Sequence, residues 1–256
     1  MGGRRGGRDT GLRASVGTRR VGWSHGHPGT VGLDRVVQCS WSETLIRGPI
    51  SFAMMSASLG SVPPSLPPPE VLSRAEVYRG KKFSFDVLSV RRVLASGAGF
   101  GNPLERAVVR HPGAVVVVPV LDNGRVVLIR NHRLAVGREL IECCAGTIEP
   151  PEEPGVCAAR ELIEETGYRA STLHPLGWFY TTPGMTDEKM HAFAATGLTH
   201  VGQRLEEDET ITVFSVGAEE AVRMAEDGTI RDAKSMLAIL AARRAGLLTT
   251  SNGKGG

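Results

Sequence analysis

The chain is poor in aromatic residues, in paired cysteines and in long apolar runs. Phe, Trp and Tyr make up 5% of its 256 residues, and its four cysteines form no CxxC pair and no metal-finger spacing. No apolar run reaches the eighteen residues typical of a membrane span, and no basic n-region precedes an apolar h-region. These absences argue against a disulfide scaffold, a zinc finger and a membrane or secreted protein. We therefore expect a cytoplasmic protein with free thiols and no membrane partner.

Excess positive charge is confined to the beginning of the chain. The net charge is +3, but residues 1–54 hold eight arginines against three acidic residues, which gives +5 there and leaves −2 for the remainder. The main part of the chain is thus slightly acidic. Nucleic-acid binding has no support from this distribution, because such domains carry a basic surface.

Four segments are expected from composition. Residues 1–54 are rich in Gly and Arg without an apolar period, which predicts a disordered tail. This tail has three open interpretations: a translated upstream extension with the true start at Met54 or Met55, which we favour, a basic tail for acidic partners, or an organelle transit peptide. Residues 55–74 include the sequence SVPPSLPPPE and predict a proline-rich linker. Residues 75–248 are expected to form one domain, and residues 249–256 a flexible C-terminus.

The first half of this domain reads as strands. Residues 75–93 alternate around a Gly-Lys-Lys turn and predict a hairpin. Two β-branched runs joined by Asp122-Asn123-Gly124 predict a second hairpin, and the unbroken run from Val115 to Val118 indicates a strand covered on both faces. A strand from Glu139 to Cys144 should follow. Since neighbouring side chains on a strand point to opposite faces, we expect one of Cys143 and Cys144 to be packed and the other to face the site.

The second half predicts short strands and two helices. A turn at Thr182-Pro183-Gly184 separates the strands, and another strand is expected from Ile211 to Val216. Asp227-Gly228 divides two C-terminal helices. The apolar residues of the last helix are expected to serve packing alone: Met236, Leu237, Ile239 and Leu240.

Between the two halves lies the stretch on which the chemistry depends, from Gly146 to Tyr168. It holds six glutamates and one arginine, and its prolines and Gly167 predict a helix from about Glu152 to Thr166. A helical wheel places one face toward the core (Val156, Ala159, Leu162 and Ile163) and the opposite face toward the site (Glu161, Glu164 and Glu165). Like charges at i and i+4 repel, so clustered carboxylates with one arginine favour Mg²⁺ or Mn²⁺ as a partner.

The same stretch resembles the Nudix box, Gx5Ex7REUxEExGU, where U is an apolar or aromatic residue. Every fixed position matches: Gly146, Glu152, Arg160, Glu161, Leu162, Glu164, Glu165, Gly167 and Tyr168. The resemblance implies an α/β (α+β) fold, an α/β/α sandwich with a mixed sheet. It also implies metal-dependent hydrolysis of a nucleoside diphosphate linked to another moiety, with two or three Mg²⁺ ions, or Mn²⁺ as the alternative.

The resemblance further implies roles for individual residues. The metal ligands would be Glu161, Glu165, Glu164 and the backbone carbonyl of Ala145, while Arg160 would orient the glutamates and Glu152 would support the loop. Pro183-Gly184 follows the box, with Pro183 fifteen residues after Tyr168. A Pro-Gly near this distance resembles the pattern of the ADP-ribose pyrophosphatase subfamily. In that subfamily a glutamate of a mobile loop acts as the base, which makes Glu207 and Glu209 the candidates. Substrate contacts would come from Arg133, Glu142, Glu188 and Gly184.

Three functions are compatible with these residues. The leading one is cleavage of ADP-ribose or a related nucleoside diphosphate sugar into a nucleoside monophosphate and a sugar phosphate. The second is hydrolysis of another linked diphosphate, such as a dinucleotide. The third is a sensor module that binds ADP-ribose without cleaving it, although the intact box argues against it. The subfamily also implies a homodimer that exchanges the hairpin of residues 75–93.

Overall fold

A computed structural model describes residues 67–94, 99–205 and 210–248, all within the compact unit Pro63–Gly256. The first strands are β1 (Glu70–Arg79), β2 (Ser84–Arg91), β3 (Leu104–Arg110), β4 (Ala114–Pro119) and β5 (Arg125–Arg133). A 3-10 turn (Leu134–Val136), β6 (Arg138–Glu142), β7 (Cys144–Thr147) and α1 (Pro154–Thr166) follow. The remaining elements are β8 (Tyr168–Tyr180), β9 (Lys189–His200), β10 (Ile211–Gly217), α2 (Ala218–Glu226) and α3 (Ala233–Arg244).

These strands form three sheets. The central sheet has the order β7-β4-β9-β8 and is mixed, because β4 and β9 run parallel while the other neighbours are antiparallel. A second sheet has the order β10-β5-β6. The third, β1-β2-β3, is an antiparallel meander. Strand β4 therefore lies inside the central sheet, between β7 and β9.

Strand β4 is buried on both faces, as its valine run predicted. Val116 and Val118 pack into a core cluster with α2 and α3, whereas Val115 and Val117 pack into a separate cluster with α1. All four valines have 0% exposed surface. Helices thus cover both faces of the strand layer, and the predicted α/β/α sandwich with a mixed sheet is confirmed.

Two local predictions about pairing are only partly right. The hairpin at Asp122-Asn123-Gly124 forms at its tip, where Val120 and Val126 make an antiparallel bridge and Gly124 has φ 75°, but β4 and β5 then enter different sheets. Likewise the single strand expected from Glu139 to Cys144 breaks into β6 and β7, which also belong to different sheets. The two sheets diverge because β4 pairs with β7 and β9, whereas β5 pairs with β6 and β10.

Helix α1 has nearly the predicted bounds, beginning at Pro154 rather than Glu152 and ending before Gly167, which adopts φ 75°. Its predicted core face is only partly right. Leu162 is buried, but Val156 is 60% exposed, and Glu161 and Glu165 are buried instead. The helix is therefore rotated so that its carboxylates face inward, toward β7.

Other predictions concern the ends of the domain. The first hairpin is confirmed, although β1 begins at Glu70, inside the segment predicted as linker. The strands after the box are longer than expected, since β8 and β9 form one extended antiparallel pair. The strand beginning at Ile211 and the two C-terminal helices are confirmed. The predicted tail 1–54 and C-terminus 249–256 lie outside the described residues.

None of the helices in the described part of the chain has the length and apolar content needed to cross a bilayer.

Candidate active site

The site forms where β7 meets α1. Gly146 of β7 approaches the helix so closely that a Cβ atom there would lie 1.8 Å from Cδ and Oε1 of Glu161. The backbone of Gly146 does not have a positive φ, so glycine is required here for space rather than for conformation. The glutamate carboxyl consequently rests directly against the strand backbone.

Arg160 binds the carboxylates of α1 together. Its Nη1 donates to Glu161 at 2.8 Å and to Glu164 at 2.8 Å, while Nε and Nη2 each donate to Glu152 at 3.0 Å. Nη2 also reaches the carbonyl of Thr147 at 3.3 Å. Hydrogen bonding to Glu152 raises the pKa of Arg160, and the same bond lowers the pKa of Glu152 below its ordinary value. One cation therefore holds three carboxylates in place.

The second buried carboxylate, that of Glu165, also lies against β7. Its Oε2 accepts from the backbone N–H of Ala145 at 2.9 Å, and the backbone carbonyl of Glu165 accepts from Gln203 at 2.7 Å. Glu165 is 3% exposed. The carboxylate is thus oriented by the strand that also carries Gly146.

The donor set at this corner fits a hard divalent cation. Glu161, Glu164 and Glu165 supply carboxylate oxygens, and the backbone of Ala145 borders the same space, which is the chemistry that Mg²⁺ and Mn²⁺ prefer. The close approach at Gly146 keeps this space free of any side chain from β7. In the described part of the chain no group of three or more His, Cys, Asp or Glu side chains is arranged to hold one ion, and Arg160 pairs with Glu152, Glu161 and Glu164.

These glutamates line a cavity of about 470 Å³, called here the acidic cavity. Glu161, Glu164 and Glu165 lie on one side of it, and Lys81 and Lys82 of the β1–β2 turn lie at its edge. The two lysines are exposed and were not anticipated as site residues. They bring positive charge to a cavity whose other described side is strongly acidic.

A second cavity of about 390 Å³, called the side cavity, adjoins the first. The two share Arg133, Ala145, Gly146 and Thr147. The side cavity is further lined by the end of β8, the following turn and the first residues of α3: Phe179, Tyr180, Thr181, Thr182, Asp232, Ala233, Lys234 and Leu237. A ligand with an anionic centre and two bulky ends can therefore extend from one cavity to the other across Arg133.

Arg133 is held from behind by a buried carboxylate. Its Nε and Nη2 donate to the two oxygens of Glu142 at 2.8 and 2.6 Å, and Glu142 has no exposed surface. Burial alone would raise the pKa of Glu142, but the bond from Arg133 and the charge of Lys234 outweigh it and leave the pKa below its ordinary value. Glu142 therefore contacts Arg133 and lines neither cavity, although it was expected to contact substrate.

The remaining predicted substrate residues are dispersed. Glu188 lines the side cavity and accepts from Thr181 Oγ1 at 2.5 Å. Gly184 lies in the neighbouring turn, where Met185 N–H donates to the carbonyl of Thr182, and lines neither cavity. The candidate bases Glu207 and Glu209 lie outside the described residues.

Sequence reasoning missed the contribution of α3. Leu237, expected to serve packing alone, is 50% exposed and lines the side cavity, as do Asp232 and Lys234. Asp232 is the sequence signal that could have indicated these residues, because aspartate is a preferred N-cap residue. In the structure it caps α3 by accepting from Ser235 N–H at 3.1 Å. It places the first turn of the helix, with Lys234, at the edge of the cavity.

None of the three described cysteines lines either cavity. Cys143 and Cys144 both have 0% exposed surface, so the expectation that one of them faces the site is wrong. They lie at the break between β6 and β7 and enter opposite core clusters. Burial raises the pKa of the Cys143 thiol to about 12 and that of Cys157 to about 12. These thiols are poor nucleophiles at neutral pH.

Known proteins resemble this chain in sequence and in fold. A family model of the NUDIX domain matches residues 110–239, a range that contains β7, α1 and Lys234. The chain is 40% identical to the ADP-ribose pyrophosphatase of Bacillus subtilis (strain 168) over 172 residues, which cover 66% of this chain and 90% of that protein. It is 38% identical to the GDP-mannose pyrophosphatase of Cronobacter sakazakii over 138 residues, 50% of this chain and 71% of that protein. A crystal structure of an ADP compounds hydrolase aligns with a TM-score of 0.58 and 25% identity, covering 71% of this chain and 96% of that one.

Proposed function

The chain belongs to the Nudix family and is a Nudix pyrophosphatase, and on that premise we propose that it hydrolyses the diphosphate of ADP-ribose to AMP and ribose 5-phosphate in a reaction that depends on Mg²⁺. One observation carries the proposal: the acidic cavity and the side cavity meet at Arg133. A diphosphate placed at this junction lies between Arg133 and the α1 glutamates. Its two ends then have separate spaces of similar size.

The chemistry of this reaction fits the donor set. Hydrolysis of a diphosphate requires neutralisation of its oxygens and a water molecule in line with the leaving phosphate. Glu161, Glu164, Glu165 and the carbonyl of Ala145 would hold two or three Mg²⁺ ions, which would supply charge neutralisation and a more acidic water. Orientation of the glutamates and binding of the substrate are then carried out by other side chains of the protein.

Those side chains have separate tasks in the proposal. Arg160 keeps the glutamates oriented through its bonds to Glu161 and Glu164. Arg133 binds the diphosphate, because its fork to Glu142 uses two of its five N–H groups and leaves the guanidinium at the junction of the cavities. Glu188 and Thr182, which lies two residues before Gly184, line the side cavity and contact the substrate end that enters it.

The general base in this proposal is a glutamate between the end of β9 and the start of β10. Glu207 and Glu209 are the two candidates, and Glu209 is preferred because it stands closer to Ile211, where β10 begins. The variants Glu207→Gln and Glu209→Gln separate them. Only the base should lose most of kcat with little change in KM.

We extend the proposal to a cytoplasmic homodimer. Every residue of β1 is exposed, including Val71, Val77 and Tyr78 at more than half of their surface. Exposed apolar side chains along a strand support exchange of the β1–β2 hairpin with a second copy. Light scattering at micromolar concentration tests this. Val77→Asp should give monomers and Leu134→Asp, an exposed control, should not.

A substrate panel tests the proposed activity. ADP-ribose, GDP-mannose, a dinucleotide and nucleoside triphosphates are compared with Mg²⁺, and the nucleotide products are separated and quantified by chromatography. The expected kcat/KM for ADP-ribose exceeds that for any triphosphate at least tenfold, or about 1.4 kcal/mol in transition-state binding. Preference for a triphosphate would remove the substrate assignment. GDP-mannose is the alternative sugar nucleotide, since a GDP-mannose pyrophosphatase is among the relatives.

A further inference from the structure

Lys234 occupies a position that connects the last helix with Arg133. Its Nζ donates to Glu142 Oε2 at 2.7 Å and to Asp232 Oδ1 at 2.9 Å, and its side chain is 15% exposed. Glu142 Oε2 is the same oxygen that accepts from Arg133 Nη2 at 2.6 Å. Two cations from distant parts of the chain therefore share one oxygen of a fully buried carboxylate.

The first turn of α3 is fixed to the strand that carries this carboxylate. Asp232 caps the helix by accepting from Ser235 N–H, and Ser235 Oγ accepts in turn from the backbone N–H of Cys143 at 2.8 Å. Cys143 is the residue immediately after Glu142, at the break between β6 and β7. Lys234 and Glu142 are thus held by a second, independent contact between the same two elements.

We propose that Lys234 is a positioning residue for substrate binding, which fixes Glu142 and through it directs Arg133 toward the diphosphate. The inference rests on the proposed function, because it assigns Arg133 to the phosphates. Arg133, Lys234, Glu142 and Asp232 carry two positive and two negative charges, so loss of Lys234 leaves one uncompensated negative charge beside the junction of the cavities. Without Lys234 the Glu142 carboxylate is held by Arg133 alone, so the carboxylate and the guanidinium both lose a fixed orientation.

This role predicts an effect on binding rather than on the chemical step. Lys234 makes none of its hydrogen bonds with the α1 glutamates, and Arg133 would contact the diphosphate in both the ground state and the transition state. Removal of such uniform binding raises KM with little change in kcat. A purely structural lysine would instead lower the melting temperature without changing KM.

The first test is steady-state kinetics with ADP-ribose and Mg²⁺. Lys234→Met should raise KM at least about tenfold, with kcat within about threefold of the parent, and Lys234→Arg, which keeps the charge, should restore KM to within about threefold. Arg244→Met removes an exposed cation from the same helix and is the matched control, with unchanged KM. An unchanged KM in Lys234→Met, or an equal rise in the control, overturns the proposal.

A second test does not need a substrate. Exchange of the Arg133 Nε proton with solvent is measured by NMR at neutral pH, with the signal assigned by its loss in Arg133→Lys. Lys234→Met should accelerate this exchange at least about tenfold, while Lys234→Arg and Arg244→Met should not. Equal exchange in the parent and in Lys234→Met overturns the positioning role. If the parent cleaves no sugar nucleotide but exchange responds as expected, the proposed function fails while the link from Lys234 to Arg133 stands.

Discussion

Replacement of Gly146 by alanine is the sharpest test of how β7 and α1 build the site. The added Cβ would lie 1.8 Å from Cδ and Oε1 of Glu161 and 2.4 Å from Oε2. Carbon atoms in contact prefer a separation of about 3.5 to 4.0 Å, so the carboxyl group must move by roughly 1.5 to 2 Å. The strand cannot give way, because β7 pairs with β4 from Cys144 to Thr147.

The cost of this movement is divided between stability and activity. Glu161 must leave its rotamer, at about 0.5 to 1.5 kcal/mol. It also loses its 2.8 Å bond from Arg160, which at this partly exposed pair contributes on the order of 1 kcal/mol. The reduced freedom of the unfolded chain offsets about 0.4 to 1 kcal/mol of that. We therefore expect a folded protein, destabilised by about 0.5 to 2 kcal/mol.

Activity should fall much further, because displacement of a catalytic group by about 1 Å can cost about a hundredfold. The expected loss in kcat with ADP-ribose and Mg²⁺ is at least two decades, or about 2.7 kcal/mol. Gly155→Ala is the matched control, since a Cβ there meets nothing within 4 Å and alanine favours the first turn of α1. If Gly146→Ala keeps kcat within about threefold of the parent, the close approach does not position Glu161 for catalysis.

Three further predictions concern the α1 glutamates, the buried Glu142 and the buried thiols. Glu164→Gln and Glu165→Gln should each lower kcat with Mg²⁺ by about two decades while the melting temperature stays within a few degrees, and activity within about threefold of the parent in either variant would show that this residue is not a ligand. For Glu142 the folded pKa lies below the ordinary value of 4.5, so its ionised form stabilises the fold above pH 4.5 and that contribution is lost as the pH falls through the folded value. Urea unfolding should therefore show a larger difference between the parent and Glu142→Gln at neutral pH than near pH 3, and an equal difference at both would contradict the ion-pair account. Thiol reagents should leave the three described cysteines unmodified in the folded protein and label them after denaturation, because burial has raised their pKa values; rapid labelling of more than one thiol in the native state would refute this.

The local parts of this site were predictable from sequence. The helix was placed within two residues because its start and end depend on Pro154 and Gly167, which act within one turn. The hairpin of residues 75–93 and the burial of β4 were likewise predicted. Alternating and unbroken apolar patterns indicate which faces of a strand are buried.

The failures share one physical cause, which is dependence on distant residues. The helical wheel assigned Val156 to the core because hydrophobicity favours burial, but Glu161 and Glu165 are buried against β7, where Arg160 and the backbone of Ala145 compensate their charge. The contact between Lys234 and Glu142 joins residues 92 positions apart. The pattern of residues within a single helix or strand cannot indicate such a contact.

The burial of β4 has a consequence for synthesis and truncation of the chain. Its valine run is a short, uncharged and strongly β-forming segment, and its partners β7 and β9 both follow it, β9 only at Lys189–His200. Until β9 is made, one edge of β4 has no partner among the described strands, and an unpaired apolar edge is a template for intermolecular pairing. A chain released before β9 should therefore aggregate rather than fold. The segment from Val115 to Val118 is where the intermolecular pairing of such truncated chains should begin.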